Sequence, residues 1–124
     1  LKTVGDIMVS ANIPILTETS NFDELIKKTT KSNLGLAIVA NKQNNLVGVI
    51  SDGDIKRIMK SNKNIKDIVL KRVMTKKPLT VNNDILAAEA LSILEVNNIS
   101  ALPVVEKFKV RGIVTLQMIL KSIN

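Results

Sequence analysis

The chain has 124 residues, a net charge of +7, and 45% hydrophobic and 23% charged residues; this suits one compact domain or two very small modules sharing a core, and excludes disorder. It contains neither cysteine nor histidine, which excludes disulfide frameworks, thiolate metal sites, cysteine nucleophiles and histidine-dependent catalysis. Its charge rests on scattered Lys and only three Arg, with Phe22 and Phe108 as its aromatics, so the stacking platform and arginine readers of a nucleic-acid surface are missing.

In chain order, Ile13 to Leu16 is a short extended run. Ser20 and Asp23 have capping-box spacing and predict a helix start, with Phe22, Leu25 and Ile26 as its apolar stripe. Leu36 to Ala40 and Leu46 to Ile50 read as strands around the turn Asn41 to Asn45, a hairpin signal. A helix carrying Ile55, Ile58 and Met59 follows. Ser61 to Arg72 is polar and Lys-rich, and Ile65, Ile68 and Val69 predict a short docked helix there. Leu79 to Val81 is the next strand, followed by an Asp84-capped helix reaching about Asn97, with Leu86, Ala87, Ala90, Leu91 and Leu94 on its buried face. Leu102 to Val105 and Val110 to Val114 form a second hairpin, and a last helix starts near Leu116. Met8, Met59, Met74 and Met118 read as core fillers.

That list repeats itself. Asn33 to Val39 aligns with Asn98 to Val104 at an offset of 65, and Leu46 to Ser51 aligns with Val110 to Thr115 at an offset of 64. Asp6-Ile-Met8 matches Arg72-Val-Met74, and Pro14 matches Pro78. The reading is therefore a first repeat at residues 1–60, a linker at 61–71 and a second repeat at 72–124. The expected fold is mixed α/β (α+β), each repeat a small sheet with flanking helices. One such repeat buries only one face of its sheet, so the two are expected to pack about a pseudo-twofold axis.

The sharpest local signal is Ser51-Asp-Gly-Asp54, where a strand ends and a helix begins. Free N–H groups and the helix dipole favour an anion there. Ser51 offers a hydroxyl, Asp54 a carboxylate able to accept from a ribose diol, and Gly53 lets a ligand approach the backbone. The same spacing also makes a capping box that closes the helix on itself. In the second repeat the matching residues are Thr115-Leu-Gln-Met118, which keep the hydroxyl and lose the acid. No acidic pair has glycosidase or two-metal spacing, no Walker or dinucleotide loop occurs, and no residue set looks catalytic or metal-binding.

The entrance Val73-Met74-Thr75, the run Ile99-Ser-Ala-Leu-Pro-Val-Val105 and the segment Gly48-Val-Ile-Ser-Asp-Gly-Asp-Ile55 resemble a pair of CBS domains, a Bateman module, over essentially the whole chain. Asn33-Leu-Gly-Leu36, Gly48 to Arg57 and Ile85 to Leu91 are similar to the C-terminal CBS pair of arabinose 5-phosphate isomerases. Those enzymes carry a sugar-isomerase (SIS) domain upstream and serve Kdo and lipopolysaccharide synthesis. The resemblance implies a regulatory module that is not itself an enzyme, within a parent that is an isomerase. It implies a nucleotide held between the repeats, with Ser51 and Asp54 on ribose or phosphate oxygens and Pro78, Leu79, Thr80, Ser100, Ala101 and Leu102 lining the base pocket. A mirror cleft would use Thr115 with Pro14, Ile15, Gly35 and Leu36, with ribose binding weakened by Met118. No cofactor is required; an adenine nucleotide or a CMP-sugar is the implied effector. Homo-oligomerisation through the CBS pairs is implied too; the alternatives are a ligand-free oligomerisation module, or the CBS pair of another enzyme or a transporter. Apolar runs such as Leu34 to Ala40 are too short to span a membrane, and no signal peptide opens the chain. The first residue is Leu1, so a piece of a longer cytoplasmic protein is expected.

Overall fold

A computed structural model describes residues 1–61 and 64–123. In chain order the elements are α1 (Val4–Ile7), β1 (Ile15–Leu16), α2 (Phe22–Ser32), β2 (Leu36–Ala40), β3 (Leu46–Ser51), α3 (Asp52–Lys60), a 3₁₀ turn (Ile65–Asp67), α4 (Leu70–Val73), α5 (Ala87–Asn97), β4 (Ala101–Glu106), β5 (Lys109–Thr115) and α6 (Leu116–Ile123). This is the mixed α/β architecture with small sheets that the duplicated pattern predicts. None of its helices is long and apolar enough to cross a membrane among the described residues.

The elements form two compact units that cut across the sequence repeats: residues 14–78, and residues 1–13 with 79–124. In the first, β1 runs parallel to β2, and β2 antiparallel to β3. All five residues of β2 are buried, as expected of a β-branched-rich strand covered on both faces. Leu16, Phe22, Leu25, Val39, Ile50, Ile55, Leu70 and Met74 share its core. In the second, β4 and β5 pair antiparallel, and Val4, Ala87, Ala90, Leu94, Leu102, Val104, Val114 and Ile119 share a core.

The leading segment of each repeat joins the sheet of the other. Val9 bridges Ile113, with reciprocal N–H···O bonds of 3.0 and 2.9 Å. Thr75 bridges Val49 in the matching way, at 2.8 and 3.0 Å. The repeated glycine of the hairpin's second strand makes room for each crossing. A Cβ on Gly112 would stand 2.5 Å from the Val9 carbonyl oxygen, and one on Gly48 2.6 Å from the Met74 sulfur. Helices α2 and α5 both end at an asparagine in the left-handed region, Asn33 (φ 52°) and Asn98 (φ 53°), where Asn is among the residues that tolerate this conformation.

Several local expectations change. The N-cap of α2 is Asn21, which accepts from the Glu24 N–H at 2.9 Å, while Ser20 accepts from the Thr17 N–H instead. Asp84 does not cap α5: the helix begins after Leu86 with no side-chain cap, and the Ala87 N–H donates to the Lys2 carbonyl at 2.9 Å. Leu86 is thus half-buried outside the helix. The stretch 79–81 is not a strand; only Val81 makes a parallel bridge, to Val104. In the linker Ile68 and Leu70 turn inward, whereas Ile65 and Val69 are exposed; residues 62 and 63 of that stretch lie outside the described residues. Met59, one turn beyond the buried Ile55 and next to the last residue of α3, is 60% exposed, so it fills no core.

Candidate functional site

Strand β3 ends at Ser51 in extended geometry (φ −89°, ψ 166°), and α3 starts at the next residue. Four N–H groups at such a start have no intrahelical acceptor. The Ser51 N–H donates to Asp54 Oδ2 at 2.9 Å and the Asp54 N–H donates to Ser51 Oγ at 3.1 Å. The Asp52 N–H donates to the Gly35 carbonyl at 3.1 Å. The Gly53 N–H finds no acceptor among the described residues, so it remains as a donor at the positive end of the helix dipole.

Asp54 closes the capping box, so the structural role that the spacing permits is the one this geometry adopts. Its second oxygen, Oδ1, accepts from Arg57 Nη2 one turn further on. The Asp54 side chain is 14% exposed against 74% for Arg57, so the carboxylate is largely covered and its cationic partner lies mostly in solvent. Arg57 is the participant that the sequence reading passed over; its signal was the i,i+3 spacing of opposite charges. Nothing packs where a Gly53 side chain would go: a Cβ would meet only Ser51 Oγ at 3.6 Å and Arg57 Nη1 at 3.8 Å. The glycine is therefore not demanded by packing. Asp52, beside it, is solvated.

The start of α6 repeats this plan with one member missing. The Leu116 N–H donates to the Ser100 carbonyl at 2.9 Å, as the Asp52 N–H does to Gly35. The Met118 N–H donates to Thr115 Oγ1 at 3.2 Å, but Met118 has no oxygen with which to answer the Thr115 N–H. The fold thus uses the carbonyls of the pre-hairpin residues Gly35 and Ser100 as acceptors for the first N–H of a helix, a role their backbone plays whatever their side chains.

Of the expected site residues, the geometry joins Ser51 and Asp54 directly. Pro78 belongs to the same unit and is half-buried. Leu79 and Thr80 belong to the other unit, are exposed, and lead into the bridge from Val81 to β4. Ser100 is exposed just before β4, with Ala101 and Leu102 buried after it. For the mirror set, Pro14 and Leu36 are buried and Ile15 and Gly35 half-buried in the unit of residues 14–78. No cluster of acidic side chains suited to a metal ion occurs among the described residues.

Comparison with known proteins fits this duplicated plan. The chain is 34% identical over 107 residues to the arabinose 5-phosphate isomerase KdsD of Pseudomonas aeruginosa, covering 86% of this chain and 33% of that enzyme. It spans about a third of the length of the curated relatives it matches. The structure of CBSX2 in complex with AMP superposes with a TM-score of 0.84 at 25% identity, covering 99% of this chain and 96% of that one. The CBS domain pair of protein MJ0100 in complex with 5′-methylthioadenosine and S-adenosyl-L-methionine also gives 0.84, at 26% identity, covering 99% and 100%. The CBS domain model matches residues 4–61 and again 65–124, and with both halves accounted for, the chain belongs to the CBS-domain family as a pair of CBS domains.

Proposed function

We propose that this CBS pair is the regulatory region of a longer cytoplasmic sugar-phosphate isomerase of the arabinose 5-phosphate isomerase type, and that it senses a nucleotide or nucleotide-sugar. The partial coverage of KdsD supports a catalytic SIS domain elsewhere in the parent and none in this fragment. The adenosine ligands of CBSX2 and MJ0100 support the ligand class. The observation that carries the reading is the start of α3: a largely covered carboxylate, a spare N–H on a glycine that packing does not require, and an exposed arginine paired with that carboxylate.

Chemically, Asp54 would accept from the ribose hydroxyls, releasing Arg57 to follow a phosphate, while the Gly53 N–H and the helix dipole favour the anion. In this reading Pro78, Leu79, Thr80, Ser100, Ala101 and Leu102 supply the wall against the base. Thr115 with Pro14, Ile15, Gly35 and Leu36 would form a weaker second site, because Met118 cannot grip a diol. A CMP-sugar, with ribose and anion together, is the effector whose chemistry suits an enzyme of Kdo synthesis. Binding would reach the isomerase only through differential affinity for two arrangements of the parent.

Thermal unfolding against AMP, ATP, CMP, a CMP-sugar and S-adenosylmethionine tests this. A ligand at 100 times its Kd adds about 2.7 kcal/mol of stability. Asp54→Asn, which keeps an acceptor for the Ser51 N–H, is expected to abolish the shift while leaving the unliganded melt nearly unchanged. The closed capping box favours one other reading, an assembly module that binds nothing; silence toward every nucleotide would select it.

A further inference from the structure

The lysines that look scattered along the chain are sorted once the two units are assigned. Residues 14–78 hold thirteen Lys and Arg against six Asp and Glu, the whole of the net +7, whereas the other unit holds five of each. Nine of the thirteen fall within residues 56–77, against a single acid, Asp67. A compositional drift toward lysine would load both units alike; charge gathered on one of them marks a surface for an anion. The leading segment of the first repeat, residues 1–13, fills the places that match the end of this stretch with one Lys and one Asp. The architecture therefore does not require the charge.

Packing turns the stretch outward. Ile55, Leu70 and Met74 are buried in the core of the unit, and Ile58, Ile68 and Val73 pack against it, so both ends of the stretch rest on one core. Lys56, Lys60, Lys66, Arg72, Lys76 and Lys77 are left outside, all exposed and without an ion pair among the described residues. Arg57 and Lys71 are exposed too, paired with Asp54 and Glu18; Lys63 lies outside the described residues. Met59, Ile65 and Val69 stand among these cations, 60%, 47% and 45% exposed. They are all of the exposed large apolar side chains of this unit among the described residues.

We propose that residues 56–77 form a docking surface for an anionic lipid bilayer, with the cations on headgroup phosphates and the three apolar side chains at the acyl boundary. The chemistry of the stretch selects lipid over other anions. Protein interfaces are enriched in Arg and aromatic residues and depleted in Lys, whereas this stretch has seven Lys, two Arg and no aromatic residue. For nucleic acid it lacks stacking side chains and holds few of the forked donors that read phosphates and bases. A lipid surface asks for neither: it takes clustered cations at no fixed spacing, with apolar side chains between them. Each basic residue near such a surface multiplies affinity about fivefold, an effect that fades beyond a Debye length of about 8–10 Å. Docking is therefore reversible and sensitive to salt. The proposal uses no part of the nucleotide reading, and a chain silent to every nucleotide would leave it standing.

Flotation of the 124-residue chain with vesicles of phosphatidylglycerol and phosphatidylethanolamine tests it, with phosphatidylcholine vesicles as the neutral reference. Binding to the anionic vesicles alone is expected at low salt, and its loss near 1 M salt, where the Debye length is about 3 Å. Lys66→Glu with Lys76→Glu should weaken it about twentyfold or more. Lys31→Glu with Lys42→Glu changes the net charge equally on the same unit and should weaken it less than about threefold. Ile65→Ser with Val69→Ser should weaken it about threefold or more. All six positions are exposed, so these variants are expected to fold, and thermal melts check this. Inorganic phosphate at the phosphate concentration of the lipid should not displace the chain; displacement would assign the surface to free phosphate and overturn the proposal. No binding to anionic vesicles at low salt overturns it as well. So does an equal loss from the Lys31 and Lys42 reversal, an unchanged affinity of the serine variant, or tighter binding to DNA of equal phosphate content.

Discussion

At the start of α3, Ser51 accepts from the Asp54 N–H at 3.1 Å and the Asp54 carboxylate answers the Ser51 N–H at 2.9 Å. At the start of α6, Thr115 accepts from the Met118 N–H at 3.2 Å, and the Met118 side chain has no oxygen to answer. Both helices still take a carbonyl from the pre-hairpin residue, Gly35 or Ser100. The backbone plan survives duplication because the fold needs it; the acid survives once, although α6 forms without it. A residue whose absence the fold tolerates is a better candidate for ligand work than one both copies require. The same contrast separates the glycines: Gly48 and Gly112 are fixed by a crossing segment, whereas a Cβ on Gly53 would make only ordinary contacts.

The hardest way to break that contrast is to give each crossing glycine a methyl group. Gly112→Ala drives a Cβ against the Val9 carbonyl oxygen at 2.5 Å, a backbone atom of a residue held by two bridge bonds. Gly48→Ala meets first the Met74 sulfur, which swings aside more cheaply, although the Thr75 carbonyl waits at 3.0 Å. Overpacking of this kind costs about 1–3 kcal/mol, and Gly112→Ala is expected at the upper end, above Gly48→Ala. Urea midpoints at constant m-value measure the difference; equal losses would mean that the two crossings are equally stiff.

Next in size is the capping box. Asp54→Ala removes the acceptor of the Ser51 N–H and is expected to cost about 1 kcal/mol. Met118→Asp supplies the missing half to α6 and is expected to add up to about 1 kcal/mol through the same bond and the helix dipole. If Met118→Asp leaves the melting temperature unchanged, Thr115 and Ser51 are not equivalent caps, and the duplication is looser than the backbone indicates. Smaller still, Gly53→Ala is expected to be neutral or to add about 0.5 kcal/mol, since glycine near a helix start gives up backbone entropy for nothing in packing. The same variant should impair nucleotide binding if a ligand approaches the free N–H, which separates use from architecture in one substitution.

These contrasts also mark where the amino-acid order was informative. Both hairpins, the α2 stripe and the Ser51–Asp54 box were legible because each depends on residues within a few positions: β-branched runs around Asn-rich or Lys-Phe turns, and a hydroxyl three before an acid. The cap of α5 was not legible, because the Ala87 N–H is satisfied by the Lys2 carbonyl, a non-local bond between backbone atoms that no side chain advertises. For the same reason the exchange of leading segments did not show. Repeats align in sequence however they are shuffled in space, and only Gly48 and Gly112 hinted at a close approach. Met59 misled because an apolar residue on a short helix looks the same whether it faces the sheet or the solvent. Arg57 was visible as a basic residue after Asp-Gly-Asp but had no role until its hydrogen bond to Asp54 was seen.

The gentlest probe concerns a third hydroxyl–acid pair, at α1. The Thr3 N–H donates to Asp6 Oδ2 at 2.8 Å, and this backbone bond, followed by the Thr3 side chain, holds the Asp6 carboxyl below its ordinary value of 3.8. A carboxyl with a lowered folded pKa binds protons more readily in the unfolded chain, so stability rises with pH through that range. The contribution is complete above the ordinary carboxylate value and is lost as pH falls below about 4 toward the folded value. Asp6→Asn keeps an oxygen for the Thr3 N–H but removes the titration. Urea midpoints of the wild-type chain and Asp6→Asn, measured from pH 6 down through that window, should converge as the acid limb is descended. Parallel curves would mean that the Thr3 bond is equally strong to the protonated acid.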